Sequence, residues 1–126
     1  MLTKALILGI SVLPPLPPTT AAHDASLVVY ERTGGFAGRN DKVIVDRDGT
    51  ATVLSAGHLT LTSTELRGLT TDLARITTTW SSSAGCQVAD HFTYTISYEN
   101  WRATRCHEIP ADWRPAVDRL DALIDR

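Results

Sequence analysis

The chain has 126 residues, with 12 basic and 14 acidic side chains and a formal net charge of −2. Its charges are scattered singly and form no basic run, which excludes an electrostatic footprint for nucleic acid or for an anionic membrane surface. That length and two cysteines bound the rest to a single compact domain with one internal cross-link at most.

Lys4, a largely apolar stretch at 5–13 (ALILGISVL), and prolines followed by TTAA make the three-part pattern of a secretory signal peptide. The stretch is too short to span a bilayer. Cleavage is expected after Ala22, so residues 1–22 are read as signal peptide and 23–126 as one exported domain, extracellular or in the cell envelope. Removing Lys4 leaves 11 basic residues against 14 acidic ones.

Residues 27–33 (LVVYERT) are rich in β-branched and aromatic side chains and predict a strand that the following glycines halt. Two further strands, 42–45 (KVIV) and 50–54 (TATVL), flank DRDG, where Gly49 can take the positive φ of a tight hairpin. Thr62 and Glu65 have the spacing of a capping box, and Leu61 and Leu66 that of a hydrophobic staple. Leu66, Leu69, Leu73 and Ile76 then mark one face of a helix over 63–77. The polar stretch that follows has no period, although Trp80 should find apolar contact. Phe92, Tyr94, Ile96 and Tyr98 alternate with Thr93, Thr95 and Ser97, so a half-buried strand is expected there. A turn at Glu99 and Asn100 joins it to another strand at 101–106. Pro110 breaks the chain, Asp112 is an N-cap candidate, and Trp113, Val117, Leu120 and Ile124 predict a terminal helix over 113–125. The elements add up to an α+β fold: a small antiparallel sheet of about five strands with two amphipathic helices packed on one face.

No catalytic constellation emerges. There is no G-x-S-x-G elbow, and Asp46 and Asp48 sit in a turn where aspartate is favoured for local hydrogen bonding. The GGFAG run leads into a strand, so it lacks the helix N-terminus of a phosphate cradle. The chain is therefore read as a non-enzyme without cofactor. Cys86 and Cys106, an even pair in an exported domain, are expected to form one disulfide worth about 3 kcal/mol. Metal binding is the rival reading, because His107 follows Cys106 and His91 lies near Cys86. Zinc sites usually show close ligand pairs that this chain lacks, so no metal is expected.

The stretch 30–41 (YERTGGFAGRND) places Phe36 among three glycines. An aromatic ring beside glycines is more often packing than recognition, so Phe36 either folds under the sheet or is presented to a partner. ERTGGFAGR (31–39), KVIVD (42–46), the helix at 63–77, DHFTYTI (90–96) and the helix at 113–125 together resemble the emfourin family across nearly all of 23–126. The glycine–phenylalanine motif is the most specific part of that resemblance, and the export segment and the cysteine pair depart from the family's pattern. Emfourins inhibit thermolysin-like zinc metallopeptidases such as protealysin, so the resemblance implies an exported, monomeric inhibitor of such an enzyme, blocking its active-site cleft noncovalently. Thermolysin-like enzymes cut before large apolar residues, and the Gly35–Phe36 bond has that form. Gly34, Gly35, Phe36, Ala37, Gly38 and Arg39 are accordingly the expected partner-binding residues: the glycines for close backbone approach, Phe36 for the pocket, Arg39 for acidic groups on its rim. The alternative function is a cell-surface binding or structural module without inhibitory activity, with a surface around Trp80 or the hairpin edge.

Overall fold

The computed structural model describes Gly9 and residues 26–126. The expected signal peptide therefore lies, apart from Gly9, outside the described residues. The chain runs through strand β1 (Ser26–Gly34), β2 (Arg39–Asp46), β3 (Thr50–Val53), β4 (Gly57–Thr60), helix α1 (Ser63–Ala74), β5 (Phe92–Tyr98), β6 (Trp101–Cys106), a 3-10 turn (Ala111–Trp113) and helix α2 (Arg114–Ile124). The strands form one antiparallel sheet in the order β4-β3-β2-β1-β5-β6.

The α+β class matches the sequence reading, with six strands in place of about five. The extra strand is β4, whose sequence GHLT carries little β signal; it forms because Ala51 and Leu59 pair across it on the core side. β3 ends at Val53, so Leu54, expected at the end of the strand, stands exposed in the turn to β4.

Period-two alternation puts Val28, Tyr30, Val43, Val45, Ala51, Val53, Ile96 and Ala103 on one face, which Leu69, Leu73, Trp113, Val117 and Leu120 of the helical layer cover. Fully burying an aliphatic side chain of this kind contributes about 1.5–3 kcal/mol, so this layer supplies most of the driving force for folding. α1 starts as its residues dictate. Glu65 N–H donates to Thr62 Oγ1, and Thr62 N–H donates to Glu65 Oε1.

Two helix details differ from expectation. α1 stops at Ala74 rather than running to 77, because the N–H groups of Thr77 and Thr78 donate to the Asp112 carboxylate, each at 2.8 Å. Asp112 is thereby spent on the chain leaving α1. The N-cap of α2 is Trp113, with no side-chain cap, and Pro115 in the first turn needs no N–H partner. Leu123 takes the buried place at the end of α2, while Ile124 is half-buried.

Candidate functional site

The β1–β2 hairpin closes through residues 35–38, with Gly38 N–H donating to Gly35 O at 3.1 Å. Phe36 stands at the tip, 93% exposed. The reading in which Phe36 folds under the sheet is overturned, and the reason is steric. The ring of Phe92, from the first position of β5, already fills the space beneath the loop: a Cβ on Gly35 would lie 2.7 Å from it. Gly34 and Gly35 take φ of 100° and 74°, and a Cβ on Gly34 would lie 2.5 Å from His91 O. Both glycines are thus required, by backbone conformation and by close approach to β5.

The tip is braced from below. Gly35 N–H donates to His91 O at 3.0 Å, and His107 N–H donates to Phe92 O at 2.7 Å. Cys86 and Cys106 form the expected disulfide, with Cα atoms 4.9 Å apart, tying the segment before β5 to the end of β6. Asp90 and His107, on either side of this junction, hold φ of 56° and 68°, a conformation that costs non-glycine residues energy and is tolerated where surrounding bonds determine it.

Beneath the hairpin lies a charged layer on the helix side of the sheet. Arg32, 5.7 Å over the Phe92 ring, pairs with Asp41 at 3.0 Å and with Asp121 of α2 at 3.1 Å. Tyr30 donates its hydroxyl proton to Asp121 Oδ1 at 2.7 Å. Burial, then the bond to Asp121, push the Tyr30 phenol far above its ordinary value, so it stays a donor. Burial also raises the Asp121 carboxyl, against the opposing pull of the Tyr30 hydroxyl and the Arg32 guanidinium. Arg39 pairs with Asp41 at 3.1 Å within the hairpin, so part of its charge is already answered inside the molecule. Its side chain remains about half exposed.

Other exposed apolar groups stand in separate turns: Leu54, whose N–H donates to Lys42 O, between β3 and β4, and Val88, whose N–H donates to Gly85 O, before β5. Trp80, 62% exposed, is held against β6, where Arg105 donates to Trp80 O and lies 5.6 Å over its ring. Beside it Ala84, Cys106, Glu108, Ile109 and Pro110 line an open cleft of about 460 Å³. The apolar contact expected for Trp80 is therefore partial. Leu54 and Val88 were missed in the sequence because Leu54 continues the alternation of its strand and Val88 stands alone in a polar stretch.

Residues 34–39 span the β1–β2 turn, and the two cysteines are joined in a disulfide. Among the described residues no helix is long and apolar enough to cross a membrane. Comparison of the chain with protein-family models, with curated proteins and with solved structures finds no match in any of the three.

Proposed function

We propose that the protein is an exported inhibitor of a thermolysin-like zinc metallopeptidase, acting as a monomer through noncovalent occlusion of the active-site cleft. The observation that carries the reading is the posture of Phe36: a fully exposed apolar ring, preceded by a glycine, on a hairpin tip held by hydrogen bonds and a disulfide. A peptidase that cuts before large apolar residues would accept such a ring in its pocket, with Gly34 and Gly35 letting the backbone approach the catalytic zinc. Resistance to cleavage follows from rigidity, because a preorganised loop binds without the ordering cost of a flexible substrate and without relaxing toward the geometry of attack. Arg39 keeps one exposed side for acidic groups on the rim. The Cys86–Cys106 bond fits an oxidising compartment.

Titration of the oxidised protein against thermolysin and a panel of serine, cysteine and unrelated zinc peptidases tests this. The expected result is inhibition confined to the thermolysin-like enzymes, with a dissociation constant between about nanomolar and micromolar, roughly −12 to −8 kcal/mol. Absence of inhibition by folded protein would sink the reading. It would favour the second one, a binding module that uses Trp80 and the cleft beside it, for which the exposed indole under Arg105 is the specific observation.

A further inference from the structure

The disulfide has a third neighbour, the His91 side chain. The sulfurs of Cys86 and Cys106 and a ring nitrogen of His91 all lie within 4.8 Å of one another. His91 Nδ1 is 2.8 Å from the Val88 carbonyl oxygen. A carbonyl only accepts, so Nδ1 carries the proton and Nε2 is left with its lone pair. Metal-ligating histidines are held in this way, with the second ring nitrogen donating to a backbone carbonyl that fixes tautomer and orientation. Cys86 is exposed and Cys106 buried, so one sulfur can swing while the other stays anchored, and solvent reaches the junction.

We propose that reduction of the disulfide turns this junction into a site for Zn²⁺, held by Cys86 Sγ, Cys106 Sγ, His91 Nε2 and one water. A dithiol reductant supplies two electrons and two protons; the S–S bond breaks, two thiols form and the reductant closes its own disulfide. Binding of the ion then releases both thiol protons to solvent, because thiolate is the ligand. Tetrahedral coordination with Zn–S bonds of about 2.3 Å sets the sulfurs about 3.8 Å apart, within reach of a Cys86 side-chain rotation. Two sulfurs and one imidazole with an open fourth position suit zinc rather than a hard cation such as calcium or magnesium. The metal would replace the covalent bond as the tie between the segment before β5 and the end of β6, and it would grip the residue whose carbonyl receives the Gly35 N–H. None of this depends on the inhibitor reading.

The test uses the purified protein, oxidised or reduced with the reductant removed under anaerobic conditions, titrated with Zn²⁺ in competition with a chromophoric chelator and, separately, with Co²⁺. The reduced protein is expected to take one ion per chain and the oxidised protein none. The cobalt form should show the sulfur-to-metal charge-transfer band and the intense visible bands of tetrahedral thiolate ligation. His91→Gln should weaken Zn²⁺ binding by at least about tenfold, whereas His58→Gln, on β4, should leave it unchanged. Because the reduced metal-free chain can lose structure, its melting temperature is followed as well, and Zn²⁺ should raise it. Equal uptake by oxidised and reduced protein, no stoichiometric uptake after reduction, no rise in melting temperature with zinc, or an unaltered affinity in His91→Gln would each overturn the proposal.

Discussion

The two ends of the sheet use the same backbone device for opposite purposes. At the end where β2 meets β3, Gly49 takes a φ of 94° and is buried; its carbonyl accepts from Leu61 N–H at 2.9 Å, and Leu66 of α1 lies over it. The chain there is closed over, and aromatic side chains at the same end pack inward, Tyr98 edge-on to Trp101 and Trp101 tilted against Trp113. At the end where β1 meets β2, Gly35 also takes a positive φ, but the Phe92 ring occupies the space beneath and Phe36 is turned out to solvent. Left-handed glycine therefore does not decide whether a turn serves packing or presentation. The decision rests on whether another residue already fills the volume under it. An end that cannot be held by burial must be held by bonds, and here these are the disulfide and the His91 and His107 backbone contacts.

Breaking those bonds one at a time sharpens the contrast. Replacing both cysteines by serine should cost about 3 kcal/mol of unfolding free energy, from the loop-closure entropy of the unfolded chain, read as a lower urea midpoint, with a somewhat steeper slope as the uncrosslinked unfolded chain exposes more surface. Gly35→Ala should cost about 2 kcal/mol, since it combines an unfavourable φ with an atom placed against the Phe92 ring. It should also disturb the tip, so any inhibition should weaken beyond the loss of folded protein.

Asp112→Ala should cost about 1.5 kcal/mol at neutral pH by removing the acceptor of two backbone N–H groups. Burial by itself would raise this carboxyl, but the Thr78 and Thr77 N–H groups outweigh it and hold it below the ordinary range. The folded state thus binds its proton less readily than the unfolded chain does. The stabilisation is complete above the ordinary carboxylate range and is lost as pH falls through the folded value. Unfolding curves of the two proteins should accordingly converge in acid. Smallest of the set, Gly49→Ala should cost about 1 kcal/mol through backbone strain, with no atom closer than 3.5 Å to its new Cβ. Inhibition should be untouched, and an equal loss of potency from Gly35→Ala and Gly49→Ala would dissolve the distinction between the two ends.

Local signals were the legible part. Thr62 with Glu65 announced the start of α1, alternation announced β5, and an even cysteine pair announced the disulfide. Six strands were not legible because Gly57 and His58 lack β propensity and pair through the backbone. The end of α1 was hidden for a different reason: the carboxylate that draws off the following chain lies 35 residues beyond Thr77, at Asp112. Phe36 shows the same limit at the candidate site. Its own neighbours allowed both burial and exposure, and only the pairing of Gly34 with Phe92 reveals that the space under the loop is taken. Long-range competition for volume and for N–H groups is what a one-dimensional pattern omits.

The measurement that bears most directly on the account is the inhibition constant of Phe36→Ala against thermolysin, compared with the unaltered protein and accompanied by the unfolding midpoints of both. An exposed ring contributes little to folding, so the midpoints should agree to within about 0.5 kcal/mol. Potency should fall by about thirtyfold or more, the loss of about 2 kcal/mol expected when a central aromatic anchor is truncated. Equal inhibition by a folded Phe36→Ala protein would contradict the assignment of the hairpin tip as the recognition element.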